Sequence, residues 1–241
     1  MQSINCLSLK ASSSAKTDIT IVIHDQRTGL QPPLGFSIKS QLGGASTLLN
    51  AGKTTNFIFK INNLTLTQNQ ISKINAIDTR SKIKDRIEKI TEFGGNLEFM
   101  KTESSVFGNN LILIDSALPK IIAESLHLFF TSTFSTIVEL TNQISTKNPL
   151  DYNLETNHPF YSYKIKRFLT DIALGMMPSK VWTGELDATG GYLVVKENGE
   201  VLCYHIYNRN EFEDYLFTNT KHESNFSTHL LINGFSRFCA T

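Results

Sequence analysis

The chain predicts an α/β or α+β fold, a mixed central sheet with flanking helices, on three observations. Near the start, two apolar runs, Ile19–Ile23 and Leu34–Ile38, flank a turn-rich segment holding Gly29, Pro32 and Pro33, the pattern of a β-hairpin. Through the middle, isoleucine, leucine and phenylalanine recur at helical spacing. Past Trp182 strand alternation returns, with Tyr192–Lys196 and Val201–Ile206 separated by Glu197-Asn-Gly-Glu200, a strong hairpin signal.

Taken in order, Met1–Thr17 is polar and serine-rich without periodicity and reads as a loose lead-in. Asp18–Ser40 is the hairpin. A loop rich in small residues follows to Asn56, with Gly43, Gly44 and Gly52, which lets a backbone approach a ligand closely. Phe57–Ile61 is a third strand, turned by Asn62-Asn63. Ile71, Ile74, Ile77, Ile83, Ile87 and Ile90 predict one helix over Gln68–Phe93, ended by Gly94-Gly95. Its cations, Lys73, Arg80, Lys82, Lys84, Arg86 and Lys89, read first as a solvated face with pairs such as Asp85–Lys89, and second as a phosphate-contacting face. Leu97–Met100 and Val106 read as short strands. Asp115–Ser145 predicts one long buried helix with Pro119 in its first turn. His158–Met176 predicts another, carrying Lys164, Lys166 and Arg167, and a short helix starts at Asn208 and runs through Leu216. After Asn225 the pattern dissolves. No internal repeat or low-complexity linker marks a domain boundary.

Composition excludes several classes. A chain of 241 residues that is 40% hydrophobic has material for a sizeable core. The net charge of +1 gives no global basic signal for nucleic acid, although a local basic groove can be balanced by acid elsewhere. Cys6, Cys203 and Cys239 form no C-x-x-C pair and are odd in number, which argues against a disulfide framework or a zinc site and favours the cytoplasm. No apolar h-region opens the chain. The most hydrophobic stretch, Asn110–Leu140, is broken by Asp115, Pro119, Lys120, Glu124 and His127, so no membrane span is predicted. Lys53 between Gly52 and Thr54 suggests the end of a phosphate loop, but the glycine that motif needs five residues before Gly52 is Thr47.

The hairpin carries the chemistry. Asp18 opens its first strand and Lys39 closes the second. Metal-dependent phosphodiester cleavage uses a carboxylate to hold Mg²⁺ against the scissile phosphate, a further ligand, often a strand carbonyl, and a lysine that steadies charge or orients water. The PD-(D/E)xK nuclease core takes these from a hairpin as Asp on one strand and acid-x-Lys on the next. Asp18 and Lys39 fit its outer positions and the carbonyl of Ile38 can serve as a ligand, whereas Ser37 stands where the second carboxylate is expected.

Longer strings carry a resemblance. Leu34-Gly-Phe-Ser-Ile-Lys-Ser-Gln-Leu-Gly43, Thr47-Leu-Leu-Asn-Ala-Gly-Lys-Thr-Thr-Asn-Phe57, Arg167-Phe-Leu-Thr-Asp-Ile-Ala-Leu-Gly-Met176, Asp187-Ala-Thr-Gly-Gly-Tyr-Leu-Val-Val-Lys196 and Leu202–Leu216 together resemble the HpaII family of type II restriction endonucleases, over about Lys10 to Asn225. The resemblance implies Mg²⁺-dependent cutting of double-stranded DNA at CCGG, beside a cytosine methyltransferase that protects the same site. It implies Asp18 and Lys39 as the catalytic pair, with metal on Asp18 and the Ile38 carbonyl. It divides the chain into a lead-in (1–17), an endonuclease domain (18–225) and an off-pattern tail (226–241). Family members have a longer leading region, so the alternative expectation is a catalytically dead DNA-binding remnant or one part of a split enzyme, its second metal-binding carboxylate lying in a missing N-terminal portion.

Gln41, Asn50, Lys53 and Asn56 follow the lysine directly and are the expected DNA contacts. Arginine is the usual reader of guanine. Of Arg80, Arg167, Arg209 and Arg237, Arg209 stands out, at a strand end between two asparagines. His205 reads as a half-buried strand histidine, His127 as packing, and His24 and Asp187 as turn residues. A structural or protein-interaction domain is the remaining class, distinguished by indifference to DNA at any salt concentration.

Overall fold

The computed structural model describes residues 17–22, 24, 26–40 and 52–221, and the backbone of 229–232 and 236–237. The hairpin forms: β1 (Ile19–Val22) and β2 (Pro33–Ser40) pair antiparallel, with Ile19 opposite Phe36 and Val22 opposite Pro33. The late hairpin forms too, as β5 (Gly191–Val195) and β6 (Val201–His205), with Gly199 taking φ +83° in its turn. The two hairpins join through a parallel pairing of β2 with β5, Phe36 opposite Gly191 through Ser40 opposite Val195, which gives a mixed four-stranded sheet in the order β1-β2-β5-β6.

The third strand does not join that sheet. β3 (Phe57–Asn62) pairs antiparallel with β4 (Asn96–Thr102) and parallel with β7 (His229–Ile232), which also pairs with β8 (Ser236–Arg237) in a second sheet. Asn63 takes the predicted turn with φ +61°.

Two expected helices are each divided, and local chemistry explains both breaks. Gln68–Phe93 is α1 (Gln68–Asn75) and α2 (Lys82–Glu92). The Arg86 guanidinium, largely buried, donates to the carbonyls of Asn75 (3.1 Å) and Ile77 (2.9 Å) and so satisfies groups that the end of α1 leaves open. Asp115–Ser145 is α4 (Leu118–Thr131) and α5 (Ile137–Lys147). The hydroxyl-rich run from Thr131 to Thr136 offers the backbone competing partners. Thr131 and Ser132 bond back to the carbonyls of His127 and Leu128. Thr136 then opens α5 with a capping box: its hydroxyl accepts from the Glu139 amide while Glu139 accepts from the Thr136 amide. Val106, expected in a strand, lies in α3 (Ser105–Ile114), whose N-cap Ser104 accepts from the Phe107 amide.

α6 (Phe160–Leu174) and α7 (Arg209–Asn219) match expectation closely. The core runs through Phe57, Ile74, Ile90, Phe107, Leu118, Ile121, Leu126, Ile144, Ile165 and Ile172 and reaches the four-stranded sheet at Tyr192, against which Phe212 packs edge-on. Each such side chain contributes on the order of 1.5–3 kcal/mol when fully buried. Among the described residues no helix is long and apolar enough to cross a membrane.

Candidate active site

β2 exists as a strand because its side chains alternate between two surroundings, and the same alternation builds the site. Ser37 and Lys39 share one face with Tyr192 and Val194 of β5, since Ser37 lies beside Tyr192 and Lys39 beside Val194. Asp18, one residue before β1, donates its amide to the Phe36 carbonyl (2.9 Å) and so sits opposite Ser37. Its Oδ2 accepts from the Ile38 amide (2.6 Å) and from the Ser37 hydroxyl (3.2 Å). The carboxylate thus takes the next ladder position at a sheet end, and among the described residues both bonds go to the same oxygen.

Beneath the pair lies Tyr192, buried on the helix side of the sheet. Its phenol donates to the Ala173 carbonyl of α6 (3.2 Å) and neighbours the Ser37 hydroxyl. Burial raises the phenol far above its ordinary range, and the nearby Asp18 charge raises it further, so it remains a neutral donor. The Lys39 ammonium stands 5.7 Å over the Tyr192 ring centroid, within cation–π range. A chain of contacts therefore runs from Asp18 through Ser37 and Tyr192 to the backbone of α6, with Lys39 resting on its aromatic member. Tyr192 is the member that motif reading missed. The period-2 alternation with Val194 was visible, but the parallel partner that brings it under Lys39 was not.

Glycines hold the two strands close. A Cβ on Gly35 would meet the Asp187 carbonyl oxygen and the Thr17 hydroxyl, each at 2.7 Å, and the Thr17 hydroxyl itself donates to that carbonyl (2.7 Å). This fixes the chain just before Asp18. Asp187, expected in a turn, lies at a bend just before the turn that the Gly191 amide closes on the Ala188 carbonyl.

The other predicted residues are placed apart. Gln41 and Asn50 lie outside the described residues, as do the side chains of Lys53 and Arg237. Asn56 is fully buried and donates to Glu103 (2.7 Å), so it presents no surface to DNA where it stands. Arg209 opens α7 and pairs with Glu213 (2.6 Å) across one helical turn, with its side chain 46% exposed. Arg80 is exposed between α1 and α2. Lys164 pairs with Asp115, Lys166 with Asp214, and Arg167 approaches Asp171 at 3.9 Å. On α2, Lys84 pairs with Glu88 and Lys89 with Glu92, while Asp85 accepts from Thr79 instead of meeting Lys89. That helix carries the solvated, paired face. His205 is half-buried, edge-on to Phe36 and stacked on Tyr207, and His127, half-buried beside Phe59, is pushed toward its neutral form by its partial burial.

A second feature lies where α3, α6 and the start of α7 meet. A cleft of about 310 Å³ is lined by Arg167, Thr170 and Asp171 of α6, by Arg209, and by Trp182. Asn110 of α3 positions that tryptophan by accepting from its amide (3.1 Å) and donating to the carbonyls of Met177 and Lys180. The Trp182 indole N–H donates to the Glu185 carbonyl. The Asp171 carboxyl is buried and faces the Glu213 charge, and these two causes, burial first, push its pKa up to about 6.

A chain whose hairpin sets a carboxylate, a strand amide and a lysine together over a buried tyrosine can be compared with known proteins. The sequence model of the HpaII restriction endonuclease family matches residues 1–230. The type II restriction enzyme HpaII of Haemophilus parainfluenzae is 58% identical over 216 residues, covering 90% of this chain and 59% of the relative. The chain therefore spans under two thirds of that relative's length. No solved structure matches.

Proposed function

The chain belongs to the HpaII restriction endonuclease family, and from that premise and the hairpin geometry we propose that it hydrolyses phosphodiester bonds of double-stranded DNA at CCGG with Mg²⁺. The observation that carries the proposal is the Asp18–Ser37–Lys39 arrangement on one face of the β1–β2 pair. Asp18 is exposed at the strand end, where a phosphate can reach it.

A divalent cation takes oxygen ligands and commonly keeps waters and substrate phosphate beside one or two carboxylates. Asp18, with one carboxylate oxygen fixed by the Ile38 amide, and the Ile38 carbonyl fit that minimal set. Bound there, the metal supplies charge neutralisation at the phosphate and a more acidic water. The residues themselves do the rest. The Ser37 hydroxyl and the Ile38 amide orient the carboxylate, and the Tyr192 ring keeps the Lys39 ammonium above the sheet, where it offsets charge that develops on the phosphate. A cytosine methyltransferase acting on the same sequence is the expected companion, and the cytoplasm the expected place.

One observation favours a second reading, a DNA-binding remnant without cutting activity: among the described residues no three His, Cys, Asp or Glu side chains gather to hold a metal. Incubating the chain with unmethylated plasmid, Mg²⁺ and an EDTA control, beside a CCGG-methylated plasmid, decides between them. Discrete fragments from the unmethylated plasmid alone, lost with EDTA, are expected. Lys39→Ala and Asp18→Asn should each lower cutting by at least about 100-fold while a gel shift on CCGG duplex persists. A CCGG-specific gel shift without cutting would favour the remnant. Cutting that survives either substitution would remove the hairpin from the chemistry.

A further inference from the structure

The cleft between α3, α6 and α7 has a composition that the hairpin chemistry does not use. Its charges balance: Arg167 lies against Asp171 and Arg209 against Glu213. A phosphate site would need a surplus of positive charge, and a cation site would need carboxylates not already facing guanidinium groups. The walls are otherwise largely apolar, with Leu174, Leu186 and Ile206 beside the indole of Trp182. Thr170 lines the cleft and is 3% exposed, and among the described residues its buried hydroxyl oxygen has no hydrogen-bond partner. A buried hydroxyl left unsatisfied costs about 1–3 kcal/mol, so a site that keeps one open is suited to a ligand that fills it.

Apolar walls, an aromatic face, and donors beside acceptors on one rim are the complement of a neutral planar heterocycle. A volume of about 310 Å³ is ample for one such ring system. We propose that this cleft receives a single unstacked nucleobase, held against Trp182 and read on its polar edge by Thr170, Asp171 and Arg209. The inference rests on the reading that the chain acts on nucleic acid, which supplies the base. Taking a base out of a duplex costs a few kcal/mol, which a pocket of this kind offsets by stacking and edge hydrogen bonds.

The test uses a feature of the sequence: Trp182 is the sole tryptophan, so its emission reports the cleft alone. The purified chain is titrated with each of the four deoxynucleosides, and with deoxyribose 5-phosphate as the sugar-phosphate control, in the absence of metal. At least one nucleoside should give a saturable change in Trp182 emission and the control none. Thr170→Val replaces the hydroxyl with a methyl group of similar size and should weaken that binding about tenfold. Asp171→Asn provides a second variant that alters the rim without changing its volume. No saturable change with any nucleoside, an equal response to the control, or a response that both variants leave untouched would overturn the proposal. Because the readout needs neither metal nor cutting, a chain that binds nucleosides but never cleaves DNA refutes the endonuclease reading alone. A chain that cleaves but shows no nucleoside response refutes only the pocket.

Discussion

Gly191 shows how much of the site depends on single positions. Its φ is +113°, and a Cβ there would lie 2.1 Å from the Tyr204 carbonyl oxygen on the neighbouring strand. Both the strain and the clash fall on backbone that cannot turn aside. Because Gly191 lies beside Phe36, the residue before Ser37, a shift there moves the site directly. Gly191→Ala should therefore destabilise the chain by roughly 2–4 kcal/mol, read as a lower urea midpoint, and lower any DNA cutting with it. Gly199 in the β5–β6 turn is the built-in contrast, since a Cβ there meets nothing within 4 Å and only its φ of +83° is strained. Gly199→Ala should cost about 1–2 kcal/mol at most. Equal effects of the two substitutions would mean that the close strand contact at Gly191 carries no weight.

At the scale of elements, α6 and α7 are joined through ionisable groups, and this makes their packing depend on pH. Asp171 has its pKa raised from 3.8 to about 6 by burial first and by Glu213 second. For a carboxyl raised on folding, the folded state binds more protons than the unfolded state between the two values. Stability is therefore highest below about pH 4 for this group and is lost as pH rises to about 6. Two pKa units correspond to an upper limit near 3 kcal/mol. Asp171→Asn should flatten the dependence across that window and leave the protein about 1–3 kcal/mol more stable at pH 7, measured by urea unfolding at several pH values. A wild-type pH profile identical to that of the variant would show that the carboxyl is not held up by its surroundings. The sequence already carried a signal here, an acid set in the apolar run Phe168-Leu-Thr-Asp-Ile-Ala-Leu174. What the sequence could not show was Glu213 facing it, because that needs the crossing of two helices distant in the chain. The same limit explains the elements. Both hairpins and α6 were legible from alternation, turn residues and helical spacing. The breaks at Thr131–Thr136 and Ala76–Ser81 were missed because apolar periodicity continues across them while hydroxyl competition and the Arg86 clasp end the helices. The Thr136-Ile-Val-Glu139 capping box was the local cue for the first break.

For the molecule as a whole, charge bears on the proposed contact with DNA. There are 23 Lys and Arg against 22 Asp and Glu, and about half of the described cations are already engaged: Lys82, Lys84, Lys89, Lys147, Lys164, Lys166, Lys196, Arg167 and Arg209 face carboxylates, and Arg86 is spent inside the fold. Exposed pairs of this kind contribute little to stability, but they remove cations from the pool that can release counterions from DNA. Legibility at this scale was poor for the same reason. The cations between Lys73 and Lys89 read first as a solvated face and second as a phosphate-contacting one, and the partners that decide between the two appear only once the helix is placed. The proposed binding to CCGG duplex should then rest on a few local contacts near the β1–β2 hairpin, with no broad basic surface among the described residues behind them. Each phosphate neutralised contributes about 0.9 to the slope of log K against log salt. The slope measured by gel shift or fluorescence anisotropy, on duplex with Mg²⁺ replaced by Ca²⁺ to suppress cutting, should be no steeper than about −5. A slope near −10 would mean that six or more further cations reach the backbone, a number that the described surface does not offer without breaking its ion pairs. The paired helices would then have to reorganise on DNA, and the hairpin would no longer be the centre of recognition.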